Sequence, residues 1–246
     1  MTDPKSLKPM GLKTSSLLFF IPAFLTILLF VPGRDAMIAM GYEPRTAFLI
    51  VGAVAFGMLF FITAGLYISE GNRWTWSAFK HRLRLTPLTT KQWVVTALLT
   101  VFLLVAYLGL MALGTREWIA QFIPVPVWYS GEGETSSPML GAYWIIWARL
   151  GLWVLNILGE ELLWRGMILP RQEKAHGRWA WVIHGTQWML YHAWKPWELI
   201  MLYPGTLAVA LVCQWTKSTT PGIVSHAIFN FVPIVIVSLI VFGVVR

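Results

Sequence analysis

The residues best suited to chemistry in this chain are two adjacent glutamates and an arginine. Glu160, Glu161 and Arg165 interrupt an apolar run that begins near Tyr143, and Asn156 extends the polar face one helical turn earlier. Ionisable side chains at membrane depth are costly and usually functional. Glu161 and Arg165 are spaced i,i+4 and can pair, whereas Glu160 points about 100° away around the helix. The spacing predicts one carboxylate held by the arginine and one facing a cavity; a purely structural ion network is the alternative.

Polar residues also interrupt two of the apolar runs that follow, one of them at His192 and the other at His226 and Asn230. Glu160 is 16 residues before His176, which lies in the intervening turn, and His192 is 16 residues after it. In an antiparallel helical hairpin the two side chains are level, roughly 24 Å from the turn, although height alone does not settle which way they face. His226 and Asn230 project from one face of the last apolar run. Such residues often only bond neighbouring helices, but together they predict a carboxylate, imidazoles and an amide that meet within the membrane.

The elements that must position these residues are membrane-spanning helices. The chain of 246 residues is 57% hydrophobic and 12% charged, with a mean hydropathy of +0.64, which is typical of multi-pass membrane proteins. We predict an all-α fold, a single transmembrane bundle over residues 1–246 with about seven to eight transmembrane helices. Scanning for apolar runs near the ~20 residues that cross a bilayer locates seven of them: 16–31, 47–68, 93–113, 143–163, 179–194, 197–215 and 223–245.

The basic residues favour one orientation and one type of partner. The net charge is +8, but Lys and Arg fall between apolar runs rather than on one basic arm, which fits loops that face a lipid bilayer and disfavours nucleic-acid binding. Twelve of them lie on the side of the N-terminus and five on the other. This distribution predicts a cell inner (cytoplasmic) membrane protein with a cytoplasmic N-terminus. We also expect the first span to be retained and residues 115–140 to form an irregular outer loop. Cys213, the only cysteine, is expected to be a packing residue.

Three motifs, in this order and in a membrane context, resemble those of the CPBP intramembrane protease family. This family includes the CAAX prenyl endopeptidases and the bacterial Abi proteins. The motifs are Glu160-Glu161-x-x-x-Arg165, Trp188-x-x-x-His192 and His226-x-x-x-Asn230. The resemblance covers about residues 143–234, the expected catalytic core. The family usually has Phe where this chain has Trp188, and we expect a mild change because both side chains fill apolar space. Eight spans are described for the eukaryotic-type enzyme, against seven located here.

The resemblance implies a role for each motif. Glu160 would be the general base that activates a water, with His192 assisting it. His226 and Asn230 would position the water or stabilise the oxyanion. The residue types agree with these roles, because desolvation raises the proton affinity of a carboxylate and because amide and imidazole N–H groups can donate to developing negative charge.

A metal-free site is the expectation, with zinc as the alternative. By the resemblance, Glu161 and Arg165 would mainly hold the first motif in place. Glu160, His192 and His226 could supply zinc with a carboxylate and two imidazoles, leaving one position for water. Against zinc, the HExxH arrangement that usually presents it is absent.

Two other polar residues lie in the predicted spans. His184 is eight residues before His192, within about 80° of it around the helix. It could line the same cavity, but a packing histidine is the more common case. Arg149 lies eleven residues before Glu160 and close to the same face. We expect it nearer the outer surface, where it bridges helices or binds lipid phosphate.

Together with this resemblance, the sequence predicts a glutamate-type intramembrane endopeptidase. Its partners would be the lipid bilayer and a membrane-associated peptide or protein substrate, whose identity the sequence does not specify. Two rival classes remain: a non-catalytic membrane partner of the same family, as in bacteriocin self-immunity or scaffolding, and a small-solute carrier with a polar path. A carrier usually shows inverted-repeat symmetry, and none was found in the sequence.

Overall fold

The computed structural model describes residues 7–126 and 139–245, and every regular element in these ranges is helical. The all-α prediction is therefore confirmed. Residues 127–138 of the predicted outer loop, and Lys5 and Arg246 of the charge count, lie outside the described residues. The α-helices are α1 (Leu12–Leu28), α2 (Arg34–Ala39), α3 (Pro44–Ser69), α4 (Trp76–Arg82), α5 (Thr90–Ala112), α6 (Thr115–Ala120), α7 (Trp144–Glu161), α8 (Leu169–His176), α9 (Ala180–Tyr191), α10 (Leu199–Thr216) and α11 (Thr220–Val241).

Five helices in the described ranges are long and apolar enough to cross a membrane, so the chain is a multi-pass membrane protein. They are Leu12–Ala39, Pro44–Ser69, Thr90–Ala112, Pro196–Thr216 and Thr220–Val241. The other two predicted spans are also helical but differ in kind. Helix α7 carries three ionisable residues, and α9 has only 12 residues. Both pack against the longer helices, α7 against α3 and α11, and α9 against α1 and α10. Their polar groups are thereby shielded from lipid.

Glycines let the helices that carry the candidate site approach their neighbours closely. A Cβ added at Gly159 in α7 would lie 2.8 Å from the backbone oxygen of Phe56 in α3. A Cβ added at Gly185 in α9 would lie 2.9 Å from the Cα of Leu207 in α10. Small residues at such crossings allow backbone contact between membrane helices, where packing rather than the hydrophobic effect drives association. These two crossings fix the positions of α7 and α9.

A widened turn follows the paired glutamates. From Leu162 to Ile168 the helix takes the π form, which shifts the backbone pairing and leaves carbonyl groups in need of donors. Arg82, at the end of α4, donates to the carbonyl oxygens of Gly166 and Met167 at 2.7 and 3.2 Å. The α4 segment therefore holds the shape of this turn from outside the helix.

We expect Gly159→Ala to destabilise the bundle, because its Cβ would press on backbone that cannot move aside. Overpacking of this kind costs about 1–3 kcal/mol. Gly151→Ala in the same helix is the matched control, since nothing lies within 4 Å of its added Cβ. Thermal unfolding of the two purified variants in detergent checks the prediction. Equal midpoints would show that the α3–α7 crossing is looser than described.

Candidate active site

The structure brings the four predicted site residues together in one cluster. Glu160 lies near the end of α7, His192 directly after α9, and His226 and Asn230 on one face of α11. The Glu160 Oε2 and His192 Nε2 atoms are 3.9 Å apart, so the two residues predicted to be level are also facing. Only 1% of Glu160 is exposed. The geometry meets the requirement of the catalytic hypothesis, while the role of each residue stays a prediction.

Glu160 is held by neutral donors. The Asn156 amide donates to its Oε1 at 2.8 Å, and the indole Nε1 of Trp188 donates to its Oε2 at 2.6 Å. Within the described part of the chain, no lysine or arginine lies at ion-pair distance from this carboxylate. These two donors orient both oxygens, and each oxygen keeps a lone pair that can accept a further hydrogen bond.

Glu161, in contrast, is paired with charge. Arg165 Nη1 lies 3.2 Å from its Oε1, and His226 Nδ1 lies 2.9 Å from the same oxygen. The guanidinium carbon of Arg165 also lies 3.4 Å from the centre of the Trp188 ring, a cation–π contact. Gly222 at the start of α11 makes room for this carboxylate, since an added Cβ would lie only 2.3 Å from its Oε2. The division of work between the two glutamates follows the prediction from their helical spacing.

A directional chain of hydrogen bonds links the two carboxylates through α11. Asn156 donates to Glu160, so its Oδ1 faces the other way and accepts from Asn230 Nδ2 at 2.8 Å. Asn230 Nδ2 also lies 3.0 Å from His226 Nε2. That nitrogen then accepts, and the proton on the other ring nitrogen points at Glu161. Because a carboxylate at each end can only accept, the amide orientations and the histidine tautomer are all determined.

The tautomer of His192 follows from a backbone contact. Its Nδ1 lies 2.9 Å from the carbonyl oxygen of Trp188, which can only accept, so the proton is on Nδ1. The Nε2 lone pair therefore faces Glu160 Oε2 across 3.9 Å. Two acceptors at this separation do not bond each other, but one water can donate a hydrogen bond to each. The two acceptors are therefore separated by a distance that one water molecule can bridge.

These groups line one wall of a cavity of about 630 Å³. The rest of its lining is mostly apolar and comes from α3, α5, α7, α10 and α11. The lining residues of α3 lie in its first half and those of α5 in its second half, and all of those of α10 except Val209 lie in its first half. The cavity thus extends from Glu160 toward the end of the bundle where α5 ends and α7 begins.

Two polar residues of uncertain role can now be placed. His184 is fully buried, does not line this cavity, and bonds through Nδ1 to Gln172 at 2.6 Å, so it is a packing histidine. Arg149 lines the cavity near the start of α7, at the far end of this helix from Glu160. Its place near the outer surface, and its role in bridging helices or binding lipid phosphate, stay predictions.

The three residues considered for zinc do not fit a metal site as they stand. His226 has one ring nitrogen bonded to Glu161 and the other to Asn230. Among the described residues, no three His, Cys, Asp or Glu side chains are grouped to hold a metal ion.

Two members of the network were not among the predicted site residues. Asn156 was noted only as extending a polar face, and Trp188 only as an aromatic that replaces Phe. The signal for Asn156 was its i,i+4 spacing from Glu160. For Trp188 it was the indole N–H, a donor that phenylalanine lacks and that a buried tryptophan usually directs at a partner.

The fold is that of a multi-pass membrane protein, and a buried polar network lies within its helical bundle. Residues 142–232 match the protein-family model described as Rce1-like, Type II CAAX prenyl endopeptidase Rce1-like. The matched segment contains all three motifs, so the match supports the resemblance to the CAAX-type protease family. The match covers less than half of the chain, and at the level of the family it indicates a protease-type enzyme. Comparison with curated proteins and with solved structures gave no match.

The two glutamates should respond differently to removal of their charge. Glu161→Gln leaves the buried Arg165 without its carboxylate, which should cost about 3 kcal/mol or more. Glu160→Gln removes a buried charge that has no basic partner, so the free energy of unfolding should stay near the wild-type value or rise. Detergent-solubilised variants, followed by thermal unfolding, test this contrast. A larger loss in Glu160→Gln would contradict the assignment of the structural pair.

Proposed function

We propose that this chain is an intramembrane endopeptidase in which Glu160 activates a water to cleave a membrane-associated peptide or protein. The observation that supports this most directly is the pair of acceptors, Glu160 Oε2 and His192 Nε2, facing each other at 3.9 Å on the wall of the cavity. A water between them would have both protons bonded to the protein and its lone pairs directed at a substrate carbonyl carbon.

The proposed reaction needs no covalent intermediate with the protein. The water oxygen attacks the carbonyl carbon while Glu160 takes its proton, which gives a tetrahedral oxyanion and a neutral carboxylic acid. As the intermediate collapses, the C–N bond breaks and the acid returns the proton to the leaving amine. His192 accepts the second hydrogen bond of the water and keeps it oriented.

The oxyanion needs a hydrogen-bond donor, and without substrate the available donors already bond to other residues of the site. Both N–H bonds of Asn230 are directed at other partners, Asn156 and His226. We propose that the N–H directed at His226 Nε2 turns to the oxyanion once substrate is bound. Asn230 is the better candidate of the two residues on α11, because the proton of His226 is held by Glu161.

The direction of the cavity and the charge distribution together suggest how a substrate arrives. If the basic end of the bundle faces the cytoplasm, as the distribution of Lys and Arg favours, the cavity opens toward the outer side of the membrane. Its apolar walls suit an extended peptide that enters from the bilayer or from its outer surface.

Cleavage should depend on the carboxylate of Glu160 and on the ring of His192. We expect Glu160→Gln and His192→Ala to lower the rate by about a hundredfold or more, because each removes an acceptor that orients or deprotonates the water. The measurement compares membrane peptides in cells that carry the wild-type chain or a variant, and then follows the identified substrate with purified protein in nanodiscs. Glu117→Gln, an exposed glutamate in α6, is the matched control.

The same experiment separates the rival functions. Unchanged cleavage by Glu160→Gln would rule out the proposed mechanism. Full biological function of both variants without any cleavage product would favour a non-catalytic partner that binds a peptide in the cavity. Cleavage that a chelator abolishes and zinc restores would favour the zinc-dependent version.

Trp188→Phe tests whether the indole N–H contributes to the site. Phenylalanine keeps an aromatic ring next to Arg165 but removes the donor to Glu160 Oε2. A hydrogen bond to a charged group contributes about 1.5–3 kcal/mol, so we expect cleavage to slow by roughly tenfold to a hundredfold. The rate constant at saturating substrate is the measurement, with thermal unfolding as the control for folding. An unchanged rate would mean that the ring only fills space.

A further inference from the structure

A second pocket lies at the opposite end of the bundle from the cavity. It has a volume of about 390 Å³ and is formed where the loop after α4, helix α8 and the turn between α10 and α11 meet. Its charged lining consists of Arg84, Glu173, Lys174, Arg178 and Lys217. This basic pocket shares no residue with the candidate active site.

The charges of the basic pocket are only partly compensated. Arg84 contacts Glu173 through two nitrogens at 2.7 and 3.2 Å, and Lys217 contacts the same carboxylate at 2.6 Å. Glu173 therefore holds two cations in place. Lys174 and Arg178 are exposed and pair with no acidic side chain in the described part of the chain. Four positive charges against one negative leave a strong attraction for an anion.

The backbone at two of these residues is unusual. Arg84 and Lys217 have φ values of 53° and 54°, and they are the only non-glycine residues with positive φ in the described ranges. This left-handed region costs roughly 1–2 kcal/mol for residues with a Cβ, and glycine or asparagine is the common choice at the end of a helix. Residues kept in such a conformation often serve a site. Here the conformation places two cationic side chains on one carboxylate at the pocket wall.

Tryptophans place the basic pocket at the level of lipid headgroups. Trp179 follows Arg178, and Trp215 follows Gln214, which also lines the pocket. These two indole side chains are 57% and 51% exposed. Exposed tryptophans next to apolar spans sit at the boundary between hydrocarbon and headgroups. Basic pockets between helices at that depth are suited to phosphate-bearing headgroups.

We propose that the basic pocket binds a phosphate group, carried by an anionic phospholipid headgroup or present as free phosphate. Lys174 and Arg178 contact the ligand, while Arg84 and Lys217, fixed by Glu173, complete the positive wall. Arginine suits this task because its planar fork can bond two phosphate oxygens at once. The ligand joins α8 to the turn that leads into α11, the two segments that flank the catalytic helices.

Binding of short-chain lipid to the purified full-length protein in detergent tests the proposal. The probes are dioctanoyl phosphatidylglycerol, dioctanoyl phosphatidylcholine and inorganic phosphate, each titrated and followed by native mass spectrometry. We expect phosphatidylglycerol to bind in preference to phosphatidylcholine, and the double variant Lys174→Gln/Arg178→Gln to weaken it by about tenfold or more. These side chains make no ion pair in the described structure, so the variant should fold normally.

The control is Lys8→Gln/Lys13→Gln, which removes two exposed charges close to α1 at the same end of the bundle. It should change the affinity by less than about twofold, because those side chains lie outside the basic pocket. Equal losses in both double variants, or no binding of any probe, would overturn the proposal. Inorganic phosphate that binds as tightly as phosphatidylglycerol, and is lost in the same variant, would identify the ligand as free phosphate. None of these readouts depends on catalysis.

Discussion

The site depends on a difference in how two neighbouring buried carboxylates are compensated. Burying a charge is costly unless it is paired and hydrogen-bonded. Glu161 has both kinds of contact through its Oε1, an ion pair with Arg165 and a hydrogen bond from His226. Glu160 is bonded only by the neutral donors of Asn156 and Trp188. The first carboxylate is thereby held as part of the framework. The second lies on the wall of the cavity, where a bound molecule can reach it.

The hydrogen-bond chain from Glu160 to Glu161 makes the site behave as one unit. Asn156 donates toward Glu160, His226 donates toward Glu161, and Asn230 between them donates to both, because the carboxylates at the two ends can only accept. A change at any member therefore alters the orientation of the others, and single substitutions report on the whole network rather than on one contact. This coupling keeps the side chains of α7 and α11 in fixed positions relative to each other.

Much of this arrangement could be predicted from the sequence, because helical geometry fixes rise and direction. Equal separations of Glu160 and His192 from the turn predicted their common depth, and the i,i+4 spacings predicted which residues share a face. The π-helical turn from Leu162 to Ile168 could not be predicted, since it depends on donors from Arg82, which is distant in sequence. The hydrogen bond from Trp188 to Glu160 could not be predicted either, because it depends on how the side chains pack. The basic pocket could not be predicted because it depends on the conformation of loops.

The part of the chain that matches the family is not a unit that holds its own shape. The carbonyl groups of its π-helical turn are bonded by Arg82, and its Gln187 donates to Ser15 and Ser16 in α1. These donors and acceptors lie outside residues 142–232. A fragment cut at the limits of the sequence match would lose the polar partners of its own interior. The apolar helices that precede the match, whose sequences carry no motif, therefore supply contacts that the matched segment needs to take its form.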